Sequence, residues 1–194
     1  MEKLEQPERF ILRPGDAWRD SLSQMYPDRY QALASVYDQL LKYGDVDKAV
    51  QEAELAVRDN EVTDEEKEAI VQHAIAEHVR FFSTPFDDDI KYIQEHMGVS
   101  EAALKEGMKE GLAARLVSRK EDPFDFVAGG VSVNVKEQGE GSRSFQIMDK
   151  LIDRLESAYG FTLEDCKDIG RKAIELIHDD EEYVRLIKEN FALE

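Results

Sequence analysis

The chain has 194 residues, 42% hydrophobic and 35% charged, with 43 Asp and Glu against 25 Lys and Arg and a formal net charge of −18. This length and composition suit a globular protein with one sizeable core or two small ones, and exclude disordered and collagenous classes. A single cysteine, Cys166, excludes an intrachain disulfide; no apolar run approaches the ~18 residues of a membrane helix, and the first residues lack a basic stretch followed by an apolar one, so a cytoplasmic protein without membrane contact is expected.

Residues 28 to 43 set Tyr30, Leu33, Val36, Tyr37, Leu40 and Leu41 at amphipathic-helix spacing, with Pro27 near the start and Gly44 past the end. Asp45 caps a second predicted helix striped by Val46, Ala49, Val50, Ala53, Ala56 and Val57. Thr63 and Glu66 form a capping box for a third, whose inner face runs Val71, Ala74, Ile75, His78, Val79 and Phe82. Thr84 and Pro85 open a fourth, with Phe86, Ile90, Ile93 and Met97 on one side and Gly98 as its stop. Ser100 caps a helix over 101 to 118, with a hydrophobic staple between Val99 and Leu104 and a strip of small residues, Ala103, Gly107 and Gly111, that reads as close helix packing.

Residues 124 to 135, FDFVAGGVSVNV, alternate about Gly129 and Gly130 as a hairpin would, setting Phe126 opposite Val133 and Phe124 opposite Val135; Arg9 to Arg13 is the candidate third strand. The polar stretch KEQGEGSRS, 136 to 144, is a candidate linker. Beyond it, Met148, Leu151, Ile152, Leu155 and Tyr159 stripe a helix ending at Gly160. Thr162 caps another through Cys166, Ile169, Ala173, Ile174 and Ile177, and a last helix after Asp180 carries Val184, Ile187 and Phe191. The expected fold is therefore mainly α: a helical bundle of about seven or eight helices with one β-hairpin, a three-stranded sheet if Arg9 to Arg13 joins it, and a winged-helix-like middle. The expected division is a helical domain over 1–135 ending in the hairpin and a helical subdomain over 145–194, packed either separately or as one. The pattern around Gly98, Val99 and Ser100 recurs 62 residues later at Gly160, Phe161 and Thr162, which is either a duplication or the common grammar of a turn between helices.

Two functional classes follow from charge. Residues 59 to 89 hold ten acidic and two basic groups, and 174 to 194 hold seven and two. A non-catalytic regulatory or adaptor protein is the leading expectation, binding a basic protein partner through an acidic face of Asp64, Glu65, Glu68, Asp87, Asp88 and Asp89. A DNA-mimic inhibitor is its narrower form, and plain solubility is the simplest use of such a surface. The alternative is a winged-helix DNA-binding regulator: residues 98 to 120 carry five basic and three acidic groups, and Lys105, Lys109, Arg115, Arg119 and Lys120 would contact the DNA backbone. Self-association stays open in either case.

Neither metal nor cofactor is expected. Four histidines include no His-x-x-x-His pair and only one Glu-x-x-His, Glu175 with His178, whereas a di-iron bundle needs two. Phosphate-loop, dinucleotide and nucleophile-elbow motifs are missing, and no catalytic residue is assigned. The stretch ELAVRDNEVTDEEKEAI, residues 54 to 70, resembles the helix, acidic turn and capped helix of tellurite-resistance (TerB-type) domains, which implies a helical fold associated with metal response. Asn60 stands where that turn usually has glycine, and no site residue is carried over.

Overall fold

The computed structural model describes residues 23–24, 26–42, 44–82, 88–118, 126–128, 131–133, 153 and 155–194. The chain divides into two compact units, Pro14–Leu112 and a second comprising Met1–Arg13 with Ala113–Glu194. Seven α-helices of ten residues or more occur among the described residues.

In the first unit, α1 (Tyr30–Leu40) buries Leu33, Val36, Tyr37 and Leu40 and packs on α2 (Val46–Asp59) and α3 (Asp64–Glu77). The small side chains Ala49, Val50 and Ala53 form the buried face of α2, whose start is capped by Asp45 accepting from the Lys48 N–H at 3.0 Å. The capping box of α3 forms in both directions: Thr63 Oγ1 accepts the Glu66 N–H at 3.2 Å and Glu66 Oε2 accepts the Thr63 N–H at 3.0 Å. Val71, Ala74 and Ile75 are buried as the periodicity predicts, but Ile70 and Ala76 are buried with them. The helix is covered on more than one side, so a single apolar stripe understates it.

After Glu77 the backbone widens into a π-helical turn, His78–Phe82, which the sequence pattern does not announce. His78 is buried, and its Nε2 donates to the carbonyl of Leu40 at 2.6 Å. That carbonyl lies at the end of α1, where helical partners run out, so the imidazole satisfies a group that burial would otherwise leave costly. Next, α4 (Asp88–Met97) packs on α2 and α3 with Ile90, Ile93 and Met97 buried. It stops at Gly98, at φ +67°. The following α5 (Glu101–Ser118) is capped by Ser100, whose Oγ accepts the Ala103 N–H at 3.1 Å.

The small-residue strip on α5 is a packing surface. A Cβ at Gly111 would lie 2.5 Å from the Ala76 carbonyl oxygen and 2.8 Å from Val79 Cβ, and one at Gly107 would collide with the Gln72 carbonyl oxygen. Two helix backbones meet here with no room for a side chain between them.

The expected sheet is corrected. Among the described residues the protein is mainly helical. What pairs near residues 124 to 135 is confined to two three-residue segments, β1 (Phe126–Ala128) and β2 (Val131–Val133), antiparallel with Phe126 opposite Val133. Segments this short, against the usual five or six residues, and with no third strand among the described residues, form a local reversal and not the sheet of a winged helix. The winged-helix-like middle is withdrawn with it; Arg9 to Arg13 lies outside the described residues.

In the second unit, helical residues 155–159 end at Gly160 (φ +64°), with Leu155 and Phe161 buried. Thr162 and Asp165 form a reciprocal cap for α6 (Leu163–Glu175), at 3.1 and 2.8 Å. Cys166, Ile169, Gly170 and Ala173 face inward. Asp180 caps α7 (Glu181–Asn190), accepting the Tyr183 N–H at 3.0 Å. Its buried face is Tyr183, Leu186, Ile187 and Asn190, with Val184 only half-buried, because α7 packs on α6 with Phe191 over Gly170; a Cβ there would sit 2.8 Å from Phe191 Cβ.

Left-handed residue, apolar residue, hydroxyl cap occurs three times: Gly98–Val99–Ser100, Gly160–Phe161–Thr162, and Glu61–Val62–Thr63, where Glu61 has φ +50°. The third instance supports turn chemistry over duplication as the source of the repeat.

Two stability predictions follow from this packing. Gly111→Ala is expected to destabilise by about 1–3 kcal/mol, the cost of overpacking; a urea midpoint equal to that of the parent would mean α3 and α5 are farther apart than described. Glu61→Gly is expected to stabilise by about 0.5–1 kcal/mol, since relief of a left-handed cost of ~1–2 kcal/mol exceeds the extra freedom of glycine in the unfolded chain. Thermal melts of the two variants against the parent check both signs.

Candidate interaction surface

Among the described residues of the first unit, Arg29, Lys42, Lys48, Lys67, Lys91 and Lys109 lie within 4.0 Å of a carboxylate of the same chain, and Arg58, in the last turn of α2, is exposed. Arg29, at the start of α1, donates from Nε to Glu66 Oε1 at 3.2 Å and from Nη2 to Glu66 Oε2 at 3.0 Å, a two-pronged pair. Its Nη1 reaches the Asn60 carbonyl at 3.0 Å and Nη2 the Glu61 carbonyl at 3.3 Å. One guanidinium thus joins the start of α1, the turn after α2 and the first turn of α3. Nothing local marks this: the pair spans 37 residues. The Arg29 hydrogen bonds, followed by the Thr63 N–H, hold the Glu66 carboxyl below the usual range against the opposing effect of burial.

Lys42 Nζ lies 2.6 Å from Glu52, Lys48 4.0 Å from the same carboxylate, Lys67 3.3 Å from Asp64 and Lys91 4.0 Å from Glu95. The pair with Lys42 holds Glu52 below the usual carboxylate range. Exposed pairs of this kind add little stability, about 0–1 kcal/mol each. Their consequence lies in the field, because cations bound to carboxylates leave the remaining acids to set the surface potential.

The acids gather in two places. Around the end of α2 and the starts of α3 and α5, Asp59, Glu61, Asp64, Glu65 and Glu101 are exposed. Glu68 accepts a hydrogen bond from Ser100 Oγ, which ties this end of α3 to the start of α5. Along α2 and α4, Tyr92 Oη donates to Asp47 Oδ1 at 2.5 Å, and that hydrogen bond, partial burial and the fields of Asp47, Glu54 and Asp45 hold the phenol above its usual pKa. The His96 ring stacks on Tyr92 with centroids 3.7 Å apart.

The described acids of the face expected from sequence lie near the starts of two helices, α3 and α4. Asp64 and Glu65 are exposed at the start of α3, and Glu68 lies a turn further on, engaged with Ser100. Asp88 and Asp89 occupy the other end of α4 from the Glu68–Ser100 contact, and a ten-residue helix is about 15 Å long. Asp88 is exposed and Asp89 half-buried; Asp87 lies outside the described residues. Asp59 and Glu61, not singled out from sequence, lie in the turn that leads from α2 to Asp64, and Glu101 follows the Ser100 that donates to Glu68.

Of the basic residues assigned to DNA, Lys109 is 7% exposed, with its Nζ 3.6 Å from the Glu106 carboxylate. Lys105 is half-buried. Arg115 belongs to α5, its side chain lying outside the described residues, as do Arg119 and Lys120. Between residues 103 and 112 α5 shows no exposed position, so that stretch offers no open face to a groove.

At the rim of the α3–α5 contact, Glu110 accepts from Gln72 Nε2 at 2.9 Å and lies 3.1 Å from His73 Nδ1. Among the described residues no group of three His, Cys, Asp or Glu is placed to hold a metal ion, and no helix is long and apolar enough to cross a membrane. No family model, curated protein or solved structure matches the chain.

The Arg29–Glu66 clamp predicts a pH signature. Because the folded-state pKa of Glu66 is depressed, its contribution is present above the ordinary carboxyl pKa of about 4.3 and is lost as pH falls through the lower folded value. Glu66→Gln keeps the capping geometry and removes the charge, so it is expected to lower the urea midpoint at pH 7 and to approach the parent below pH ~4. A gap that stayed constant with pH would assign the effect to packing.

Proposed function

We propose that this chain is a non-catalytic regulatory or adaptor protein of a reducing, cytoplasmic compartment that binds a basic protein partner through its acidic helical surface. The observation that supports the reading is the charge arrangement of the first unit. Arg29, Lys42, Lys48, Lys67, Lys91 and Lys109 each lie within 4.0 Å of a carboxylate, Asp64 being the partner of Lys67, while Asp59, Glu61, Glu65 and Glu101 face solvent. With a formal net charge of −18, such a surface attracts lysine- and arginine-rich segments at long range and repels phosphates. The single cysteine is buried, which suits a reducing compartment. The burial of Lys109 disfavours DNA recognition by α5.

The test is fluorescence anisotropy of the labelled protein with a lysine-rich histone and, separately, with random-sequence duplex DNA, each over a salt series. Histone capture that weakens with salt, and no DNA capture, is the expected result. Replacing Asp59, Asp64 and Glu65 by their amides is expected to weaken capture about tenfold, taking roughly 0.5 kcal/mol for each exposed contact. The amides of Glu181, Glu182 and Glu189 on α7 serve as the charge-matched control. Equal loss in both variants would reduce the interaction to bulk charge, and salt-sensitive DNA binding would overturn the proposal. A native partner that itself binds nucleic acid, displaced by duplex DNA, would identify the narrower DNA-mimic form.

A further inference from the structure

We draw no further inference here: the strongest candidate, the cluster of Asp45, Asp47 and Glu54 around the stacked Tyr92 and His96 rings at the α2–α4 edge, belongs to the acidic surface already described and is a carboxylate cluster with no second observation that points to a ligand.

Discussion

The first unit is organised by the distance at which α5 crosses α3. At Gly111 that distance leaves no space for a methyl group above the Ala76 carbonyl, and Gly107 meets the same restriction one turn earlier at Gln72. Glycine inside a helix costs about 1 kcal/mol relative to alanine, so the sequence accepts two such costs for one contact. In return Ile75 and Ala76 of α3 are covered by α5, and Gln72 and His73 are brought to Glu110. The π-helical turn follows directly, with His78 anchored to the end of α1 and Val79 beneath Gly111.

Burial and charge are connected through this arrangement. Because residues 103 to 112 of α5 are committed to packing or partly covered, the basic character of that segment does not become an open basic face; Lys109 is enclosed beside Glu106. Arg29 is likewise held at the junction of three helices. Several acids are engaged too, Glu52 with Lys42, Glu66 with Arg29 and Glu68 with Ser100, while others keep their side chains in solvent. Asp64 and Glu65 sit in the first turn of α3, where the helix dipole favours negative charge, and remain open to solvent.

Local grammar was the legible part of the sequence. The caps at Asp45, Thr63, Ser100 and Thr162, the helix start after Asp180 and the stops at Gly98 and Gly160 depend on residues within a few positions of one another, and each is found in place. The small-residue strip was readable for a similar reason, since few other uses place Ala103, Gly107 and Gly111 at helical spacing. Long-range features were not legible. The Arg29–Glu66 pair, the Glu68–Ser100 link and the burial of Lys109 depend on which helices meet, and no spacing rule encodes that. The alternation in FDFVAGGVSVNV suggested a sheet, yet alternation states only which face would be apolar and not whether a third strand and a helix arrive to cover it. For the acids singled out from sequence, spacing put Asp64 and Glu65 at the start of α3 and Asp88 and Asp89 at the start of α4, but not the turn residues Asp59 and Glu61 beside the first pair.

The recurring turn made of a left-handed residue, an apolar residue and a hydroxyl cap bears on how the chain reaches this structure. Each instance closes a reversal between sequential helices with bonds spanning only three to six residues, as in Val62 N–H to Val57 O, Val99 N–H to Gln94 O and Phe161 N–H to Leu155 O. Such reversals form with little loop-closure entropy, and chains rich in them have low contact order and fold quickly. Distant pairs such as Arg29 with Glu66 would then join helical hairpins that are already turned, making docking of finished pieces the slow step in assembling the first unit.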